Sequence, residues 1–413
     1  MMVVFGLSSL RGAAMNFRLF SKLLKDGLPC WTVIQNWVLR FGLYKLQEPL
    51  PRRDDWILIA DHTIEFGAKN CLVVLAVSAA KLRERNFRIG HEDVEVAAIK
   101  VGDCSKGDEI ANVLTEVSEQ IGLPAQIVSD AASNLKSGFR TFEEQVNQRL
   151  PDWRLKTTYD ITHKAANCLK GLLENDKDWN AFTGRIAATK RNVVHTEFAA
   201  YAPNKPRDKS RWQNLETHVV WAEAVLNRKG KHGHPSKAEE EWLKKFKSHF
   251  DWVGDYRRQI NLWRLWLDVI NAAKQEVKLN GLSRKTAANF RKRADEIKSR
   301  RVSVRKLKRD LEDFFRNEAQ SLPSDEGWLG SSDIIESIFG KYKTFSAKTP
   351  MKEVGKAVLT IPVLTSKLSP TEVKRAMEAV PDKMLKAWLA ENVGESLLGK
   401  RKKVFLPQKQ KIE

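Results

Sequence analysis

The chain has 413 residues, long enough for two or three domains, and its 42% apolar and 9% aromatic content excludes a disordered polymer. A formal charge of +20, from 71 Lys and Arg against 51 Asp and Glu, points to a polyanionic partner, nucleic acid before membrane. Cys30, Cys71, Cys104 and Cys168 are scattered with no C-x-x-C pair, which argues against a disulfide framework and a structural zinc site. No apolar run reaches the length of a membrane span, and residues 1–7 lack the basic start and cleavage site of a signal peptide. An intracellular protein is expected.

Residues 1–50 read as a helical N-terminal region. Trp31, Ile34, Trp37, Val38 and Phe41 recur at helical spacing, and Gly42 is expected to end that helix. A remnant of a DNA-binding module and a small packing domain both fit the pattern. A Pro/Arg/Asp-rich linker, 49–55, leads into the apolar run Trp56-Ile57-Leu58-Ile59-Ala60, which reads as a buried strand ending on Asp61. A second strand is predicted over 69–78, with Gly67 and Ala68 in a hairpin between, and a third over 94–101.

A helix follows from about 106 to 121, with Ile110, Val113, Leu114, Val117 and Ile121 on one face. A fourth strand, 125–128, leads to Ser129-Asp130. Another helix carries Leu135, Phe139, Phe142 and Val146. A fifth strand, 153–159, ends on Asp160, and a helix opens near His163. Residues 56–175 are therefore expected to form an α/β domain with a mixed five-stranded sheet. Two strands that end on aspartate can bring Asp61 and Asp130 close enough to share hard cations such as Mg²⁺.

Over 176–328 the strand pattern gives way to helical periodicity rich in tryptophan, the mark of an all-helical insertion. Its segment 284–309 has twelve Lys/Arg against Asp295 and Glu296, and reads as one helix with basic outer faces. Arg291, Lys292, Arg293, Arg300 and Arg301 are its candidate phosphate contacts, and the loops 203–211 and 228–237 are also basic. Then comes Ser331-Ser332-Asp333-Ile334-Ile335-Glu336-Ser337-Ile338-Phe339-Gly340-Lys341-Tyr342-Lys343. Ser331 or Ser332 is expected to cap a helix, 329–345, on which Glu336 and Lys343 lie two turns apart on nearly one face. Residues 346–413 read as helices interrupted by Pro362, Pro370 and Pro381, with a basic tail at Lys400-Arg401-Lys402-Lys403.

These motifs together resemble the DDE transposases of bacterial insertion sequences. The likeness rests on Asp61, Asp130 and Glu336 with spacings of 130 − 61 = 69 and 336 − 130 = 206, and on Asp160-Ile161-Thr162-His163 between the last two acids. It implies a ribonuclease H-like domain completed by the 329–345 helix and holding two Mg²⁺ or Mn²⁺ ions on Asp61, Asp130 and Glu336. Asp160 is the alternative ligand. His163, Lys341, Lys343 and the five named residues of the basic segment would touch DNA. The implied activity is cleavage at transposon ends and strand transfer into double-stranded target DNA, by a homodimer or higher oligomer in the bacterial nucleoid. A DNA-binding protein that has lost catalysis and a structure-selective nuclease are the alternatives. Leu329 and Ser332 stand where some relatives carry Tyr and Arg, so only the Glu-x6-Lys half of that pattern is present.

Overall fold

The computed structural model describes all residues except 1, 5, 7, 20–26, 103–105, 206–213, 228–236, 321, 323–325, 349–350 and 406–413. In chain order, α1 (Leu10–Leu19) and α2 (Trp31–Gln47) precede β1 (Trp56–Ile64), β2 (Asn70–Ser78), α3 (Ala79–Glu84) and β3 (Glu95–Gly102). Then follow α4 (Gly107–Ile121), β4 (Gln126–Ser129), α5 (Ser133–Asn147), β5 (Thr157–Tyr159), α6 (Ile161–Leu173), α7 (Lys177–Val193) and α8 (Asn214–Leu226). The chain continues through α9 (Lys237–Phe250), α10 (Arg257–Asn280), α11 (Thr286–Glu296), α12 (Val302–Gln320) and α13 (Asp333–Ser346). It closes with α14 (Thr360–Leu364), α15 (Pro370–Ala379), α16 (Asp382–Asn392) and α17 (Leu397–Phe405). Two compact units result: Met1–Asp160 with Lys278–Ser283 and Ser321–Glu413, and Ile161–Val277 with Arg284–Gln320.

The first unit is built on one mixed sheet of order β3-β2-β1-β4-β5, in which β1–β3 form an antiparallel meander and β4 and β5 run parallel to β1. This is the ribonuclease H-like architecture, with helical parts around it. The first run is richer in β-branched residues than a helix tolerates well, and its alternation assigns the faces. Trp56, Leu58 and Ala60 join Ile127, Ile110, Leu114, Leu135 and Phe142 in a core beneath α4 and α5. Ile57, Ile59 and Asp61 therefore look to the opposite face. β1 does not stop at Asp61: the hairpin pairs it with β2 as far as Ile64↔Asn70, so Asp61 lies inside the strand. The last strand is shorter than predicted. Trp153 packs edge-on against Phe142, at 5.8 Å between ring centres, instead of entering the ladder.

Gly42 does not end α2, which continues to Gln47. Its missing side chain serves packing. A Cβ there would stand 1.8 Å from the Leu359 carbonyl oxygen, just ahead of α14, while Leu39 and Leu43 pack on Leu359, Val380 and Leu385.

The second unit is all-helical among its described residues. Trp263 packs against Trp179 and Phe182, with ring centres at 5.2 and 4.9 Å, and Phe198, Phe246 and Phe250 form a second aromatic group. The segment predicted as one basic helix is two, α11 and α12. Breaking at 297–301 lets Phe290 of α11 meet Phe315 of α12 at 5.3 Å, which a straight helix forbids, and Lys308 donates to the free Ile297 carbonyl at 2.8 Å. The basic loops fall at 206–211 and 228–236 outside the described residues.

Two predictions follow from this packing. On an open helix Gly→Ala would gain about 1 kcal/mol, but at Gly42 the backbone contact reverses the sign. G42A should lower stability by about 1–3 kcal/mol in urea unfolding. His218 is 1% exposed and neither ring nitrogen has a partner, and burial pushes its pKa down to about 4 from 6.5. In that window the unfolded chain binds the extra proton, so stability is full above pH 6.5 and falls as pH drops toward 4, by about 3 kcal/mol. His218→Leu should flatten that acid dependence in a series of unfolding curves.

Candidate functional site

The sheet register carries the site. β1 and β4 pair Ile57↔Gln126, Leu58↔Ile127 and Ile59↔Val128, an offset of 126 − 57 = 69, which extended two residues aligns Asp61 with Asp130. β4 and β5 pair Ile127↔Thr157, Val128↔Thr158 and Ser129↔Tyr159, an offset of 30 that aligns Asp130 with Asp160. The Asp160 amide donates to the Ser129 carbonyl at 3.0 Å, so the β4–β5 ladder does extend one step further. Carried forward in this way, the registers put Asp61, inside β1, level with Asp130 and Asp160, each one residue past its strand, and neighbouring strands are spaced about 4.8 Å apart. Directly paired residues share a face, and this face is opposite to the one α4 and α5 cover.

Each aspartate is held differently. Asp61 is half-buried and accepts from the His62 amide at 2.6 Å. Asp130 is half-buried one residue past β4, where its carboxylate accepts from the Ala132 amide at 2.9 Å. Ala131 between them sits at φ +57°, a left-handed conformation that costs a non-glycine residue about 1–2 kcal/mol. Asp160 is 0% exposed, and its Oδ2 accepts the Ser332 hydroxyl at 2.6 Å. Ser332 was an expected helix cap. In the structure it is the N-cap residue of α13, but its side chain bonds no helix amide; Ser331 Oγ accepts from the Asp333 amide at 3.2 Å, and the Ser332 hydroxyl serves Asp160 instead.

The segment entering α13 is fixed from below by Gln126. This side chain is 0% exposed, donates to Thr158 Oγ1 at 2.7 Å and to the Leu329 carbonyl at 2.8 Å, and accepts from the Leu329 amide at 3.3 Å. A single buried amide therefore clips the chain three residues before Ser332 onto β4 and β5. Further along α13, Tyr342 donates to Glu65 at 3.2 Å and Ser346 donates to the other Glu65 oxygen. Burial pushes the Glu65 carboxyl above its usual range, against the pull of these two hydroxyls and Lys343.

With α13 anchored at both ends, Glu336 reaches Asp160: their carboxylate oxygens lie within 4.8 Å. His163, in the first turn of α6, offers a ring nitrogen within the same distance of Asp160. Among the described residues this is the one group of acids and histidine spaced to ligate an ion. Asp61 and Asp130 are not part of it, although the register sets them alongside Asp160. So the acid predicted as an alternative ligand is the one that meets Glu336. Oxygen-rich donor sets of this kind suit hard divalent cations, and a wholly buried carboxylate gains most from a cation nearby.

The predicted DNA contacts divide into engaged and exposed side chains. Lys341 is half-buried and lies 3.1 Å from His91 Nδ1, whose Nε2 lies 3.0 Å from Ser337 Oγ; burial and the Lys341 charge push the His91 pKa down. An ammonium only donates, so Nδ1 accepts and Nε2 donates to the serine. Lys343 is exposed. Arg291 pairs with Glu312, and Arg293 pairs at 2.7 Å with Glu276, whose side chain is 1% exposed. Lys292, Arg300 and Arg301 are exposed. Sequence reasoning missed the positioning roles of Gln126 and Ser332. Gln126 offered one signal, a polar residue inside an otherwise apolar strand.

Removing the Ser332 hydroxyl strips a buried carboxylate of one donor. S332A should destabilise the chain by about 1–3 kcal/mol. An unchanged urea midpoint would mean that the bond contributes nothing.

No protein-family model matches this sequence, and no curated protein does. Among solved structures, the chain is similar to the Drosophila P element transposase in a strand transfer complex. Identity is 11% and the TM-score 0.43, over 88% of this chain and 92% of that one.

Proposed function

We propose that this chain is a metal-dependent polynucleotidyl transferase of the DDE type, a DNA transposase. The observation that carries the reading is Glu336 within 4.8 Å of the buried Asp160; the strand registers, carried one or two residues past their last pairs, support adding Asp61 and Asp130 at the same level. Such a row of carboxylates repels itself, and a structure that assembles one gains by binding divalent cations against it. Asp160 and Glu336, with an imidazole beside them, offer donors that fit a divalent cation, and the reading adds Asp61 and Asp130 to them. Asp61, Asp130 and Glu336 would hold two Mg²⁺ or Mn²⁺ ions, with Asp160 as a further ligand.

Ions bound there would lower the pKa of the attacking oxygen and stabilise charge on the leaving one. The rest of the work falls to the chain. Gln126 and Ser332 keep the helix that carries Glu336 in fixed relation to the sheet, which limits the reorganisation needed when substrate arrives. Lys343, exposed two turns beyond Glu336, would meet a backbone phosphate. The proposed chemistry needs no serine or tyrosine nucleophile, since water and then a freed DNA 3′-hydroxyl attack the phosphorus. Double-stranded DNA is the proposed partner, as transposon end and as target, with a homodimer or higher oligomer on it. The bacterial insertion-sequence origin and the nucleoid location belong to the same reading. Among the described residues no helix is long and apolar enough to cross a membrane.

The test is a supercoiled plasmid carrying the DNA that flanks the coding sequence, incubated with the purified chain and Mg²⁺ or Mn²⁺. Nicks at defined ends and joined products are expected. Asp61→Asn, Asp130→Asn and Glu336→Gln should each lower cleavage by more than about 100-fold, beyond what loss of an outer-shell partner costs. Cleavage that survives in all three variants, or needs no metal, would overturn the assignment.

A further inference from the structure

Five arginines of the second unit are neutralised by acids. Arg185 pairs with Asp255 at 3.1 Å, Arg264 with Glu223, Arg293 with Glu276, and both Arg291 and Arg316 with Glu312. Of those that are not, three stand together. Arg258 on α10 and Arg300 and Arg301 in the α11–α12 turn line one cleft of about 370 Å³ together with Asn261 and Ser299. Among the described residues none of the three forms an ion pair, no acid lines the cleft, and the first turn of α12 beside it carries none. Three like charges around one concavity raise the energy of the free protein, and a bound anion relieves it.

The cleft is also made deliberately by the chain. It exists because the basic segment breaks at 297–301; an unbroken helix would carry Arg300 and Arg301 on along its axis, away from that turn. The Ser299 hydroxyl accepts the Arg301 amide at 3.2 Å, tying the turn together and holding consecutive guanidinium groups at the rim. Guanidinium forks match the paired oxygens of phosphate, and Asn261 adds a neutral donor. The cleft is open and its arginines are exposed, which suits a continuous backbone better than a small enclosed ligand.

We propose that this cleft is a phosphodiester clamp that grips the DNA backbone without reading sequence. It rests on the reading of the chain as a DNA enzyme, but it concerns binding and needs neither metal nor cleavage. The experiment measures affinity of the full-length protein for duplex DNA by fluorescence anisotropy over a range of salt, without divalent ions. The variant R258Q/R300Q/R301Q should bind more weakly, with the slope of log K against log salt reduced by about 2–3, as expected for three lost phosphate contacts. R258K/R300K/R301K keeps the charge and should keep the slope, which separates the clamp from a folding defect. K177Q/K244Q/K247Q removes three exposed charges elsewhere in the same unit and should change the slope less.

An unchanged slope in the arginine-to-glutamine variant, or an equal loss in the lysine control, overturns the clamp. So does competition by micromolar tripolyphosphate that is lost in the arginine variant, because the cleft would then take a small polyphosphate. Cleavage is read with divalent ions and the salt slope without them. The clamp can therefore fail while the catalytic reading stands, and the catalytic reading can fail while the clamp stands.

Discussion

The buried amide of Gln126 is the contact on which the geometry of the acids depends. It sits on a strand where an apolar residue would pack more simply, and it uses its nitrogen and its oxygen on the Leu329 backbone and Thr158. A buried amide left unsatisfied is costly, so the register between this strand and the returning chain is narrowly specified. Everything downstream follows: Ser332 lands on Asp160, α13 starts where it does, and Glu336 is carried to Asp160. Leu329 matters here through its backbone, which Gln126 engages on both its amide and its carbonyl.

The site also illustrates how a sheet gathers charge without strain in the sheet itself. Parallel pairing with offsets of 69 and 30 residues, carried just past the ends of β4 and β5, is what would bring three distant aspartates to one level. Strain is confined to the Ala131 turn, next to Asp130, where the chain must leave the sheet and enter α5 at once. Fixing carboxylates on strands and on one anchored helix keeps them from relaxing apart, although their mutual repulsion favours that.

Much of this was legible in the residues. The apolar β-branched runs gave the five strands and their order along the chain, and of the acids following three of those runs Asp160 is the one that meets Glu336. What failed has physical reasons. Gly42 read as a helix end because glycine is a weak helix former, whereas its role is a close approach to the Leu359 backbone, which only tertiary contacts reveal. The basic segment read as one helix because its periodicity is unbroken; the turn at 297–301 is imposed by Phe290 meeting Phe315. Asp61 read as a strand end because the apolar run stops there, yet hairpin pairing carries the strand three residues on. Which acids converge was beyond the sequence, since register is a property of paired strands. Ser332 read as a cap for the same reason: its actual partner is 172 residues away.

The order of the chain has a consequence for how the molecule is made. All five strands have been synthesised by Tyr159, while α13 begins only at Asp333. At ribosomal rates of about 5–20 residues per second the intervening stretch takes roughly 10–35 s to emerge. Throughout that interval the newborn sheet offers one bare side, with Ile57, Ile59 and three acids uncovered by the element destined for it. Carboxylates on that side keep it polar in the meantime, which disfavours aggregation.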